Sequence, residues 1–505
     1  MSTLAEPRRG GAAIDRLKAH LADVNALRTA VSVLEWDMQC FMPPGGAKAR
    51  AAHVGALGRM AHELFTSDQT GNLLEDARSE AEPGSEGAAL VRVAKRSFDL
   101  DTKVPASLVE EKLRMGAEGH EAWVKCRANN DFPSFAPYLE KNFDIARREA
   151  EYLGYEHDIY DPLLDRFEEG AAAADVRAMF ESIKAPLVDL VARIKESPNQ
   201  PDDSKLHGKW DESKQRAFTE SLVRAIGYDF DRGRQDTAPH PFCTTFSVGD
   251  VRLTTRFKDY IGSAIFGSLH EAGHGMYEQG SPMEWDRTPL AGGVSLGVHE
   301  SQSRTWENIV GRSKAFWKRF LPDLQRSFPE LAEMSLDEWY RAVNKVQPSF
   351  IRVEADEVTY NLHILVRFEL ECDLLTGALA VKDLPEAWNA KYEAYLGVRP
   401  KTDSEGCLQD VHWSGGTVGY FPTYSMGNLL SYQIWNALTR DLGDTDSLME
   451  KGDFAPILGW LREQVYRHGC RYTPKELVMR VTGKPMGTED YLSGITEKYS
   501  AIYSL

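Results

Sequence analysis

Two histidines four residues apart with a glutamate between them are the residues here best able to do chemistry. They stand in the run His270-Glu271-Ala272-Gly273-His274, of the form His-Glu-x-x-His. On an α-helix, positions i and i+4 share a face, so both imidazoles can give a nitrogen to a single zinc ion. Glu271 points near the same place, where it can hold a metal-activated water and take its proton. The chemistry implied is hydrolysis of a peptide bond. The pairs His62-Glu63, His120-Glu121 and His299-Glu300 have no histidine three positions after the glutamate, so the motif stands alone.

The surrounding residues must make a helix for this to work. Ile261, Ala264, Ile265, Leu269, Ala272 and Met276 recur at helical spacing, and no proline falls between Tyr260 and Gln279. Gly280, with Pro282 just beyond, is a C-terminal stop. Gly262, Gly267 and Gly273 weaken the helix intrinsically, which suggests close packing or substrate approach. Zinc also needs a third protein ligand and an open fourth position. Glu300, 26 residues after His274, is the strongest candidate, with Glu307 a weaker one two turns on. Glu300 follows Ala291-Gly292-Gly293, which can end one connection and start a second helix.

Most of the chain reads as helix. Apolar residues recur every three or four positions over 14–38, 50–66, 88–100, 107–128, 134–152, 175–196 and 213–227. They do so again over 312–326, 336–347, 353–376, 385–395, 427–440, 454–468 and 488–503. Phe246 to Phe257 alternates instead and predicts a short strand or hairpin beside the zinc helix, able to pair with an extended peptide. The fold expected from this pattern is mostly all-α, with a small β element beside the metal. It is read as a single catalytic domain over 1–505, loose over 1–13.

A net charge of -17 disfavours nucleic acid and anionic membranes as partners. No apolar run is long enough to span a bilayer, and the first residues lack the apolar core of a secretion signal. Six cysteines without paired spacing fit reduced thiols in the cytoplasm.

Several further motifs accompany the zinc run. They are Trp36-Asp37 with Met42-Pro43, His240-Pro241-Phe242, Asp250-Val251-Arg252-Leu253-Thr254, His299-Glu300-Ser301-Gln302, Ile351-Arg352-Val353-Glu354-Ala355-Asp356, and Gly406-Cys407-Leu408-Gln409-Asp410-Val411-His412-Trp413. In these motifs, and in their order, the chain resembles the carboxypeptidase Taq family of zinc metallocarboxypeptidases over most of its length. The resemblance implies an almost wholly helical fold, two helical lobes around a deep central groove, and a homodimer. It also implies metal-dependent release of C-terminal residues from peptides with broad specificity, proline excepted.

The residues allow roles to be assigned as expectations. His270, His274 and Glu300 hold zinc, with cobalt as an alternative. Glu271 is the general base and later the acid. The oxyanion of the tetrahedral intermediate needs donors, for which His240, His412, Tyr420 and Tyr424 compete. Arg352, then Arg252, is expected to bind the substrate's terminal carboxylate. Asp356, Glu354 and Asp410 are candidates to accept the second ring N–H of the zinc histidines. His299 either hydrogen-bonds in the site or packs. The rival readings are a zinc endo-oligopeptidase without a carboxylate anchor and a non-catalytic helical scaffold stabilised by metal.

Overall fold

The computed structural model describes residues 11–505. The loose segment expected over 1–13 falls mostly outside the described residues, but Ala12 and Ala13 already belong to the first helix, Ala12–Cys40. Helices account for nearly all the regular structure, in agreement with the periodicity of the sequence. No helix is long and apolar enough to cross a membrane among the described residues.

Two large apolar cores divide the helices. One gathers side chains from Ala106–Asn129, Phe132–Leu153, Ala173–Glu196, Tyr360–Thr376, Leu384–Leu396 and Glu489–Tyr503. The other gathers Glu212–Ala225, Gly262–Gln279, Lys314–Ser327, Leu336–Val343, Ala455–Gln464 and Pro474–Thr482. The helix Pro422–Leu442 joins them. Its Met426 and Leu429 enter the first core, and its Leu430, Ile434 and Leu438 enter the second. A smaller core of Leu17, Leu21, Phe65, Leu74 and Leu90 holds the N-terminal helices together and reaches Trp285 and Leu290.

The single sheet among the described residues has three strands, β1 (Gly233–Thr237), β2 (Cys243–Ser247) and β3 (Asp250–Thr255). β2 and β3 form the expected hairpin, with β3 in the middle, and β1 pairs with it in parallel. β1 was invisible in the sequence because Gly233-Arg234-Gln235-Asp236-Thr237 has no apolar alternation. Arg252 on β3 stacks over Trp36, 4.3 Å from its ring, and ties the first helix to the sheet.

The helix expected over 353–376 is corrected: it begins at Tyr360. Arg352–Glu354 form a separate 3-10 turn. Asp356 is the reason, because its Oδ1 accepts the N–H groups of Val358 and Thr359, and its Oδ2 the Thr359 hydroxyl. That local bonding competes with helix and resets its start.

Candidate active site

The zinc run lies on the helix Gly262–Gln279, which ends at Gly280 as expected. Its neighbour, Leu296–Arg304, is capped by Ser295, whose hydroxyl accepts the Val298 N–H at 3.2 Å. This second helix widens into a π-turn over Thr305–Val310. It therefore offers two carboxylates to one imidazole. Glu300 Oε2 lies 3.6 Å from His270 Nε2, and Glu307 Oε2 lies 2.9 Å from His270 Nδ1.

Gly273 explains how the two helices come so close. A Cβ there would sit 2.6 Å from Gln302 O and Ser303 Cα. On the other side of Glu300, a Cβ at Gly427 would meet the Glu300 Cβ and Cγ at 2.5 Å. Glu300 is thus pinned between two helices that each give up a side chain to admit it.

His270, His274 and Glu300 offer ligand atoms all within 4.8 Å of one another. Glu300 Oε2 is 3.4 Å from His274 Nε2. Ligand bonds of ~2.0–2.2 Å in a tetrahedron put donors about 3.4 Å apart, so the set fits one divalent ion. The Nδ1 atoms of both rings are engaged elsewhere, which leaves the two Nε2 atoms for that ion. Burial pushes the His274 pKa down to about 4, so this ring is the neutral ligand form. Burial opposes protonation of His270 too, but Glu300 and Glu307 outweigh it and its pKa is raised. Burial likewise opposes ionisation of Glu300, yet Arg304 and His270 hold it well below the usual carboxylate range. Arg304 Nε donates to Glu300 Oε1 at 2.7 Å, and its other arm reaches Glu307 Oε2 at 3.2 Å. Glu271 is buried beside the set, and desolvation pushes its pKa up to about 7, poised to accept and return a proton near neutrality.

The model of the carboxypeptidase Taq (M32) metallopeptidase family matches residues 16–499. The chain belongs to this family. It is 41% identical to thermostable carboxypeptidase 1 of Thermus thermophilus, over 97% of each chain. It is 38% identical to carboxypeptidase 1 of Bacillus subtilis, over 94% of this chain and 96% of that one. Its fold superposes on the crystal structure of an M32 carboxypeptidase from Deinococcus radiodurans with a TM-score of 0.96 at 41% identity, covering 98% and 100% of the two chains. The protein is therefore an M32 metallocarboxypeptidase, a peptide hydrolase that takes a divalent metal.

In this M32 chain the remaining residues gather as follows. His412 faces Tyr424, whose hydroxyl lies 3.4 Å from His412 Nε2. Tyr420 packs edge-on to Tyr424 at 5.2 Å. Burial, followed by Arg352, pushes the His412 pKa down to about 3. Burial raises the pKa of both tyrosines, and the negative charge of Glu300 adds to the rise. His240 is exposed on the loop between β1 and β2 and has its pKa lowered by desolvation, then by Arg256 and Arg352.

Arg352 is buried. Its Nε and one terminal nitrogen donate to Asp410 Oδ1 at 3.0 and 2.8 Å, and its other terminal nitrogen donates to Tyr360 Oη at 2.9 Å. Arg252 has both its Nε and a terminal nitrogen on Asp250, each at 2.8 Å.

The expected partners of the histidines' second nitrogens are corrected. Glu354 pairs with Lys258, Asp356 caps the Tyr360 helix, and Asp410 bridges Arg352 and Arg367. Glu307 takes His270 instead, and His299 takes His274, with their Nδ1 atoms 2.6 Å apart. His299 therefore hydrogen-bonds rather than merely packs. Arg304, Glu278 and Arg367 were missed, though a signal existed for two of them. Arg304 stands four residues after Glu300 and Glu278 four after His274, on the same faces as the ligands.

Proposed function

We propose that the enzyme removes C-terminal amino acids one after another from peptides, with broad side-chain specificity and proline excepted. His270, His274 and Glu300 would hold the ion, and zinc suits this two-histidine, one-carboxylate set, with cobalt as an alternative. When bound, the ion would supply a Lewis acid for the scissile carbonyl and for water. Glu271 accepts a proton from the attacking water and delivers it to the leaving amine. Its raised pKa suits both transfers, because neither protonation state is costly near pH 7. Tyr424, Tyr420 and His412 line the side where the oxyanion grows, and the tyrosine hydroxyls are its donors. His240, at the exposed edge, is the outermost of the four candidates.

The observation that carries the exopeptidase reading is the state of Arg352. A guanidinium has five N–H donors, and three are spent on Asp410 and Tyr360. One N–H remains on each terminal nitrogen to donate to a carboxylate. Its position 5.0 Å over the Tyr424 ring brings the guanidinium beside the tyrosine assigned to the oxyanion. Arg252 is the weaker anchor, since it is paired with Asp250 and stacked on Trp36. The test is a matched peptide pair, one with a free and one with an amidated C-terminus. Mass spectrometry should reveal a ladder of single-residue losses from the first and none from the second. Internal fragments, or equal turnover of the amide, would move the enzyme to the endo-oligopeptidases.

The reading extends to a homodimer acting in the cytoplasm, supported for compartment by six cysteines that form no disulfide. Light scattering and cell fractionation test those two points.

A further inference from the structure

Glu278 lies outside the ligand set but ends a hydrogen-bonded chain that starts at it. His274 Nδ1 is 2.6 Å from His299 Nδ1, and His299 Nε2 is 2.7 Å from Glu278 Oε1. Two neutral imidazoles meeting Nδ1 to Nδ1 share one proton between them, so one must donate and the other accept. Nothing in that pair alone decides which.

Glu278 decides it. Its Oε1 also accepts the Gly293 backbone N–H at 3.1 Å, which fixes that oxygen as an acceptor. His299 Nε2 facing the same oxygen must then carry hydrogen. A neutral ring with its proton on Nε2 has a lone pair on Nδ1. That lone pair takes the Nδ1 proton of His274, which frees the Nε2 of His274 for the ion. The geometry is enforced by glycine: a Cβ on Gly293 would lie 2.4 Å from His299 Cδ2, so only glycine lets the loop lie against the ring and reach Glu278.

We infer that Glu278 is a positioning residue which, through His299, sets the tautomer of His274 that binds the metal. The inference rests on the reading that His270, His274 and Glu300 hold the ion. It gives this histidine a relayed carboxylate, whereas His270 has a direct one in Glu307. Substituting Glu278→Leu keeps the bulk but removes the acceptor, while Glu278→Gln can keep an acceptor oxygen toward His299. Zinc affinity, measured by competition with a chromogenic chelator, should fall about 10- to 100-fold in Glu278→Leu, and Glu278→Gln should recover most of it. Both variants are checked for native circular dichroism first. A folded Glu278→Leu protein with wild-type affinity, or equal losses in the two variants, overturns the inference.

A second measurement needs no variant. Selective nitrogen-15 labelling of the 13 histidines in the zinc-loaded wild-type enzyme reports each ring's tautomer. His299 protonated at Nε2 and His274 protonated at Nδ1 is the expected pattern; a proton on His299 Nδ1 overturns it. If instead His274→Ala leaves zinc affinity unchanged, it is the ligand assignment that fails, a distinct result.

Discussion

Adding one methyl group at Gly273 should disable the enzyme while leaving it folded. The new Cβ would stand 2.6 Å from Gln302 O and Ser303 Cα and 2.9 Å from Gln302 C. Carbon contacts settle at ~3.5–4.0 Å, so the two helices must separate by about 1 Å. Overpacking of this kind costs ~1–3 kcal/mol, and replacing a helical glycine by alanine returns roughly 1 kcal/mol. The net effect on stability is therefore small, at most about 2 kcal/mol. The effect on the metal centre is not, because His270 and His274 ride on one helix and Glu300 on the other. Ligand distances must hold to about 0.2 Å, and a shift of about 1 Å breaks the set.

We expect Gly273→Ala to lower zinc affinity at least about 100-fold, equivalent to ~2.7 kcal/mol, and peptide turnover with it. The control is on the same helix. Gly267 has nothing within 4 Å of its virtual Cβ, so Gly267→Ala should raise stability by up to ~1 kcal/mol. Chelator competition and urea denaturation of both variants give the answer. Wild-type zinc affinity in Gly273→Ala would refute the claim that this glycine sets the helix separation that the ligands need.

Four other outcomes are expected. Glu271→Gln should keep its metal, measured by elemental analysis, and lose activity by orders of magnitude; unchanged turnover removes Glu271 as the base. Asp410→Asn leaves Arg352 and Arg367 buried without their carboxylate and should cost ~3–5 kcal/mol in denaturant melts at pH 7; a loss under about 1 kcal/mol denies that the trio is a unit. Glu371 is fully buried, and burial pushes its pKa up to about 7 despite donors from Tyr160, Trp413 and Gly419. Its folded form binds more protons than its unfolded form between about pH 4.5 and 7, so this group erodes stability as pH rises through that window, by up to ~3 kcal/mol. Glu371→Gln should flatten that fall in metal-free protein, and identical pH profiles for variant and wild type would contradict it. Metal removal by chelation should leave helical circular dichroism intact and lower the melting point only by binding linkage, about 4 kcal/mol at a thousandfold excess over Kd; unfolding of the apo-protein would mean the ion holds the fold.

What the sequence could reveal follows from how far each relation reaches along the chain. His270, Glu271 and His274 were legible because their relation is one helical turn. The hairpin of β2 and β3 was legible because alternation is local, while β1, polar throughout and paired through a crossover, was not. Asp356 misled because an apolar periodicity continues across 353–376, whereas a single side chain that bonds the backbone two and three residues on stops it. The carboxylates offered to the zinc histidines failed for a different reason. Asp356, Glu354 and Asp410 lie in motifs near the site, but nearness in a motif list says nothing about the direction a side chain takes.

Two of the groups that brace the site from behind follow the helical repeat of the ligands themselves. Glu278 extends the face of His270 and His274 by one more turn, and Arg304 extends that of Glu300. Spacing therefore identifies which residues share a face of their own helix. It cannot identify which face of another helix they will meet. That second fact is carried here by Gly273, Gly293 and Gly427, residues with no chemistry, whose missing side chains let two helices and a loop close on the ligands and their hydrogen-bond partners. The glycines in the zinc helix looked like a weakness when only helix propensity was weighed. At Gly273 the packing reverses that judgement, since a stronger helix former in that place would separate the histidines from Glu300. At Gly267, where no neighbour approaches, the propensity argument stands.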